Sequence, residues 1–154
     1  MSDHEVTLDA LNLVARDMDA TLSFYRLLGL EIPDNTVWRT ETGAHHVDLK
    51  LQGGETPGEG TGLDFDSESL ARKYNAGFEA ASANSRTVIG FRVATRDAVD
   101  ARYADLTSAG HRGLQPPYDT FWGARYAIVE DPDGRSVGIM SPQDDARRSA
   151  PPQI

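Results

Sequence analysis

The sequence predicts an α+β fold made of two tandem modules, each running strand, helix and then about three strands. Three observations lead there. Apolar residues alternate with a period of two in a series of short stretches and follow helical spacing in two longer ones. The two helical stretches match each other: MDATLSFYRLLG at 18–29 and VDARYADLTSAG at 99–110 pair Asp19 with Asp100, Ala20 with Ala101 and Gly29 with Gly110 at one constant offset. The stretch 121–142 reads as strand, tight turn, strand, with Asp131-Pro132-Asp133-Gly134 supplying the turn between strands at 124–130 and 136–140.

Residues 5–16 open the first module as a strand, with Leu11, Leu13 and Ala15 on one face and Ala10, Asn12 and Val14 on the other. Asp17 caps a helix over 17–29, in which Met18, Leu22, Tyr25 and Leu28 form an apolar stripe that Gly29 ends. Short extended pieces are expected near 30–33 and 36–40. Residues 46–51 alternate, Val47, Leu49 and Leu51 inward against His46, Asp48 and Lys50, and 63–66 form another short strand. The Gly-rich stretch 53–62 has no lysine and two glutamates, which suits a mobile flap and not a phosphate cradle. A linker with a short helix at 68–74 is expected over 67–86. The pattern then returns: a strand over 87–93 with Ile89, Phe91 and Val93 opposite Val88, Gly90 and Arg92, a helix over 97–109 closed by Gly110, an extended stretch at 113–118, and the hairpin. Module one therefore spans about 6–66 and module two about 87–142, with a disordered tail over 143–154 in a single domain.

At 154 residues, with 39% hydrophobic and 25% charged residues, the chain suits one domain with a real core. No apolar run approaches the length of a bilayer span, and the acidic opening MSDHEVTLDA does not read as a signal peptide. The lack of cysteine excludes disulfides, zinc thiolate sites and cysteine nucleophiles, and fits a cytoplasmic location. A net charge of -9 argues against nucleic acid or an anionic membrane as partner and favours a neutral or cationic ligand. The G-x-S-x-G, P-loop, G-x-G-x-x-G and H-E-x-x-H motifs are absent.

The segments RDMDATLSFYRLLGLE and YAIVEDPDGRSVGIM resemble the vicinal oxygen chelate superfamily, the glyoxalase and bleomycin-resistance type of fold, over about residues 6–142. The resemblance implies a small, usually dimeric protein whose two βαβββ modules form cup-shaped mixed sheets around a cavity. In the metal-dependent members, ligands stand at the start of each half's first strand and in each half's last strand. On this chain those places fall at Ala10, Val88, Asp64 and Gly138. One carboxylate does not hold a divalent transition metal, so no metal and no cofactor are expected. The histidines do not replace the chelate: His4 lies near the terminus, His111 follows the second helix, and the adjacent His45 and His46 point to opposite faces.

Within that frame the large apolar members of each strand go beneath the helices, and the other face lines the cavity. Asn12, His46, Asp48, Asp64, Arg92 and Met140 are the expected ligand-binding residues of that face, with Ala10, Gly90 and Gly138 opening volume. Trp38, Tyr118, Phe121 and Trp122 are expected to wall it, since such rings stack on a planar ligand or hold a cation. Asn12 is expected to bond a ligand or an ordered water, because an amide on an apolar strand costs free energy unless something bonds it. Structural roles stand beside these: an ionic network of Arg92, Asp64 and Asp48, solvent for Lys50, and core or dimer-interface packing for Trp38 and Trp122. Asp64 and Asp66 share a face, a carboxylate pair that could raise one pKa and make an acid/base, but no catalytic residue is assigned. The function expected is that of a metal-free small-molecule-binding homodimer that sequesters an aromatic or basic metabolite or drug. The alternative is a metal-dependent isomerase, lyase or ring-cleaving dioxygenase whose ligands have moved to His46, Asp48 and Asp64; a third is an inert module with a filled cavity.

Overall fold

The computed structural model describes residues 10–52, 61–74 and 88–150. Its elements run β1 (Ala10–Ala15), α1 (Met18–Leu28), β2 (Trp38–Arg39), β3 (His45–Gln52), β4 (Thr61–Ser67), α2 (Glu68–Tyr74), β5 (Val88–Arg92), α3 (Arg96–Ser108), β6 (Gly113–Asp119), β7 (Arg125–Glu130) and β8 (Ser136–Met140). They build two four-stranded mixed sheets, ordered β1-β4-β3-β2 and β5-β8-β7-β6. In each, the first pair is parallel and the others antiparallel. The α+β fold with two strand–helix–three-strand modules is the one the sequence predicts. Parts of the expected first strand (5–9), flap (53–60), linker (75–86) and tail (151–154) lie outside the described residues, as do His4 and Thr87, the first residue of the strand expected over 87–93.

The chain divides into two compact units, one holding β1 to β4 with α2, the other holding α1 from Asp19 onward with β5 to β8 and α3. In the first, pleating puts Leu13, Val47, Leu63 and Phe65 on one buried face. Leu11, on the same side of β1, is exposed instead. In the second, Ala127 and Val129 of β7 and Val137 and Ile139 of β8 are fully buried, with Val99 and Leu106 of α3 and Leu22, Phe24 and Tyr25 of α1 in the same core. Tyr25 packs on Phe91 with ring centres 6.0 Å apart, and His111 stands edge-on to Phe24 at 4.8 Å, which gives that histidine a packing role.

The repeat read from the two helical stretches has a structural counterpart. Gly29 and Gly110 both take positive φ (120° and 96°), and each follows a helix whose last carbonyls are bonded in the same way. Leu30 N–H donates to the Tyr25 carbonyl and His111 N–H to the Leu106 carbonyl, a helix ending that needs the left-handed residue. The start of α3 is set by Thr95, whose hydroxyl accepts from Ala98 N–H at 3.1 Å. A second repeat was not visible in the helix alignment: Thr40-Glu41-Thr42-Gly43-Ala44 and Thr120-Phe121-Trp122-Gly123-Ala124 form the same turn. In both, the threonine N–H donates to the alanine carbonyl and the threonine hydroxyl accepts from the alanine N–H.

The hairpin of β7 and β8 has the expected register, Val129 opposite Val137 and Ile128 opposite Gly138. Its turn does more than reverse the chain. The fully buried Asp131 carboxylate accepts from the backbone N–H groups of Asp133 and Arg135, from Arg135 Nη1 and from the Tyr25 hydroxyl, all at 2.9 Å. Burial and the neighbouring Asp131 push the Tyr25 phenol well above its usual range, so it stays protonated and donates to that carboxylate. Two expectations differ. The piece at 30–33 forms no strand, and a single 3-10 turn at Asp34–Thr36 precedes β2. The tail is not disordered from residue 143: Asp144 N–H donates to the Gly123 carbonyl and Ser149 N–H to the Phe121 carbonyl, around a 3-10 turn at Asp145–Arg147. Those bonds fasten the tail to the turn that carries Trp122, a long-range partner that local composition does not reveal.

Candidate functional site

Cross-strand partners share a face, so the registers define what each sheet presents away from its buried side. On the first sheet one row is Asn12, Asp64 and Asp48, and the next is Val14, Asp66, His46 and Trp38. The alternation read from the sequence is therefore the alternation of the sheet. Its polar groups serve one another. Buried Asp66 accepts from Asn12 Nδ2 at 2.9 Å and lies 2.6 Å from His46 Nδ1. Asn12, expected to seek a ligand or water, thus has a protein partner. Lys50 pairs with Asp48 at 3.4 Å, and His45 meets Arg39 on the other side of β3. Asp64 Oδ1 is buried without a hydrogen-bond partner among the described residues. Burial first, and then Asp48 beside it, push the Asp64 carboxyl above its usual range, against the opposing pull of His46 and Lys50. Trp38, 52% exposed, makes no ring contact among the described residues.

The second sheet presents a different surface. Its rows are Gly90, Gly138 and Ile128, and then Arg92, Met140, Tyr126 and Tyr118. Gly90, Phe91, Arg92, Trp122, Tyr126 and Met140 line a cleft of about 310 Å³. Its wall is a chain of edge-on rings: Trp122 meets Phe121 at 5.0 Å and Tyr126 at 5.9 Å, and Tyr126 meets Tyr118 at 6.3 Å. The floor is open at Gly90, where an added Cβ would meet nothing within 4 Å. At Gly138 it would lie 2.8 Å from the Tyr126 hydroxyl, so the absence of a side chain there is what lets the phenol lie down on the sheet. Burial, and then Tyr118, raise the Tyr126 pKa, which keeps the phenol protonated at neutral pH. Behind β5 a second cleft of similar volume, lined in part by Gly29, Ala98 and Arg102, shares Phe91 and Arg92 with the first.

Of the expected ligand-binding residues, the structure brings Arg92, Trp122 and Met140 to one cleft, with Tyr118 and Phe121 joined to its wall. Asn12, His46, Asp48 and Asp64 share the face of the first sheet. Tyr126 was missing from the expected set. Its signal was present, because Ala127 and Val129 are the buried alternation of β7 and leave Tyr126 on the face of Met140.

The chelate of the metal-dependent members does not fit these residues. Val88 is apolar, the Gly138 position is covered by a phenol, and among the described residues no three His, Cys, Asp or Glu side chains are placed to hold a metal ion. No described helix is long and apolar enough to cross a membrane.

Comparison with known proteins agrees with the architecture. A glyoxalase/bleomycin resistance protein/dioxygenase from Nocardioides is 23% identical, with 99% of this chain and 92% of that one covered and a TM-score of 0.62. A glyoxalase-related enzyme from Fulvimarina pelagi is 18% identical over 88% of each chain, with a TM-score of 0.66. A family enzyme from Burkholderia phytofirmans PsJN is also 18% identical, over 88% of this chain and 98% of its own, with a TM-score of 0.62. No curated protein matches the sequence. The family model of the Glyoxalase/Bleomycin resistance protein/Dioxygenase superfamily matches residues 7–139, and the chain belongs to that superfamily.

Proposed function

We propose that the protein binds a small molecule without a metal, sequestering an aromatic metabolite or drug in the cleft of its second sheet. One observation carries the reading. At Gly138, where the family resemblance puts a metal-binding glutamate, the phenol of Tyr126 fills the space, and the same face opens into an aromatic-walled cleft. A volume of about 310 Å³ suits a compound of one or two rings, at the lower end of the roughly 300–1,000 Å³ usual for such sites. Of the aromatic and basic ligands that the sequence suggests, the cleft supports the aromatic class, since its charged lining residue is Arg92. A cytoplasmic homodimer is the proposed setting, supported by the cysteine-free composition and by the family's usual assembly; the net charge of -9 supports neither a nucleic-acid nor a membrane partner.

Two measurements test this. Protein purified without an affinity tag should carry no stoichiometric metal, and its melting temperature should not move with EDTA or with divalent ions. A stoichiometric metal that raises the melting temperature would favour the metal-dependent isomerase, lyase or dioxygenase instead. In a Trp38→Phe background Trp122 is the remaining tryptophan. Saturable quenching of its fluorescence by aromatic compounds is the expected result, and no response to any of them would leave an inert module.

A further inference from the structure

The arginines around the second sheet are paired with carboxylates, and Arg92 has no hydrogen-bond or ionic partner among the described residues. Arg96 and Arg125 are held by Asp119, Arg125 also by Asp100, Arg135 by Asp131, and Arg112 by Glu130. In a chain with 24 acidic and 15 basic residues, an arginine with no such partner among the described residues is unusual. Arg92 is also placed deliberately by its strand: it pairs across β8 with Met140, one row from the open floor at Gly90, beside the rings of Trp122 and Tyr126. A guanidinium presents a planar fork of donors that matches a carboxylate with two parallel hydrogen bonds.

Resting on the reading of this cleft as a small-molecule site, the geometry points to an aromatic carboxylate as its ligand, the carboxylate bonded by Arg92 and the ring system lying between Gly90 and the Trp122–Tyr126 wall. The Tyr126 hydroxyl, beside Gly138, is a donor available to a second polar group on the ring. Such a ligand brings its own negative charge to a protein that is already acidic, so the interaction has to be local: the long-range field opposes it, and association should quicken as salt screens that field.

The test uses three probes of nearly equal shape, 1-naphthoate, 1-naphthamide and 1-naphthylmethylammonium, followed by Trp122 fluorescence in the Trp38→Phe protein. Naphthoate should bind at least about tenfold more tightly than the amide and more tightly still than the ammonium. Arg92→Gln should remove that preference, weakening naphthoate about tenfold while leaving the amide within about twofold. Arg92→Lys, which keeps the charge and loses the fork, should fall between. Amide or ammonium binding as tight as naphthoate overturns the inference and leaves the aromatic cleft standing. A loss in Arg102→Gln as large as in Arg92→Gln would put the carboxylate in the cleft behind β5 and overturn it too. Binding of none of the three probes overturns the cleft reading itself, and the inference with it.

Discussion

The row Val14, Asp66, His46 and Trp38 on the first sheet lies where the second sheet has Arg92, Met140, Tyr126 and Tyr118; Asn12, Asp64 and Asp48 lie where it has Gly90, Gly138 and Ile128. The backbone frame is the same, down to the Thr-x-x-Gly-Ala turn ahead of β3 and β7. The difference is in who satisfies the polar groups. On the first sheet Asn12 and His46 are turned inward on Asp66 and Lys50 on Asp48, so little is left to recognise a guest. On the second, Gly90 leaves the floor open, Gly138 admits the Tyr126 phenol, and Arg92 has no hydrogen-bond or ionic partner among the described residues. A duplicated module can thus keep its fold under either arrangement, because the buried faces of its strands, and not the open ones, hold it together.

Substitutions can break this contrast, and the largest effect is expected at the support of the second sheet. Asp131→Ala leaves Arg135, the Tyr25 hydroxyl and two backbone N–H groups without their shared buried acceptor, and should cost about 3–5 kcal/mol in urea unfolding. Trp122→Ala removes the ring that the cleft shares with Tyr126 and should weaken ligand binding about tenfold or more while costing only about 1–2 kcal/mol of stability. Unfolding or loss of assembly in that variant would make Trp122 a core or interface residue. Gly138→Ala forces the Tyr126 hydroxyl off the sheet and should cost about 1–2 kcal/mol, part of which Tyr126→Phe should restore in a double-mutant cycle.

The smallest effect sharpens the other side of the contrast. Asp64 is an acid whose folded pKa is raised, so the folded state binds its proton more readily than the unfolded chain does, and stability falls as pH rises from the ordinary carboxylate range through the raised value. Asp64→Asn should therefore raise the melting temperature slightly at neutral pH, and the gain should vanish below about pH 4, where the parent carboxyl is protonated in both states. Cleft binding should not change. A melting temperature lowered at neutral pH would mean that the charge of Asp64 is needed by its neighbours.

Most of the architecture was legible because it depends on local signals. Gly29 and Gly110 mark helix ends that require positive φ, and the Val137–Ile139 alternation together with the Asp131–Gly134 turn fixes a hairpin register. The faces of β1, β3, β5 and β8 followed from pleating alone. What was not legible depends on distant partners. Nothing near Asn12 in the sequence says that Asp66 will meet it, and nothing in 143–150 says that Gly123 and Phe121 will hold that segment. The Thr40 and Thr120 turns escaped because one residue separates their offset from that of the helices. Tyr126 follows from its own strand's alternation and not from the adjacent turn that carries Phe121 and Trp122.

The phenol resting over Gly138 also couples two positions of the second sheet. Restoring a glutamate there collides with the ring, and trimming the ring first strips the cleft of a wall before any chelating group has arrived. A change at either position is therefore felt at the other.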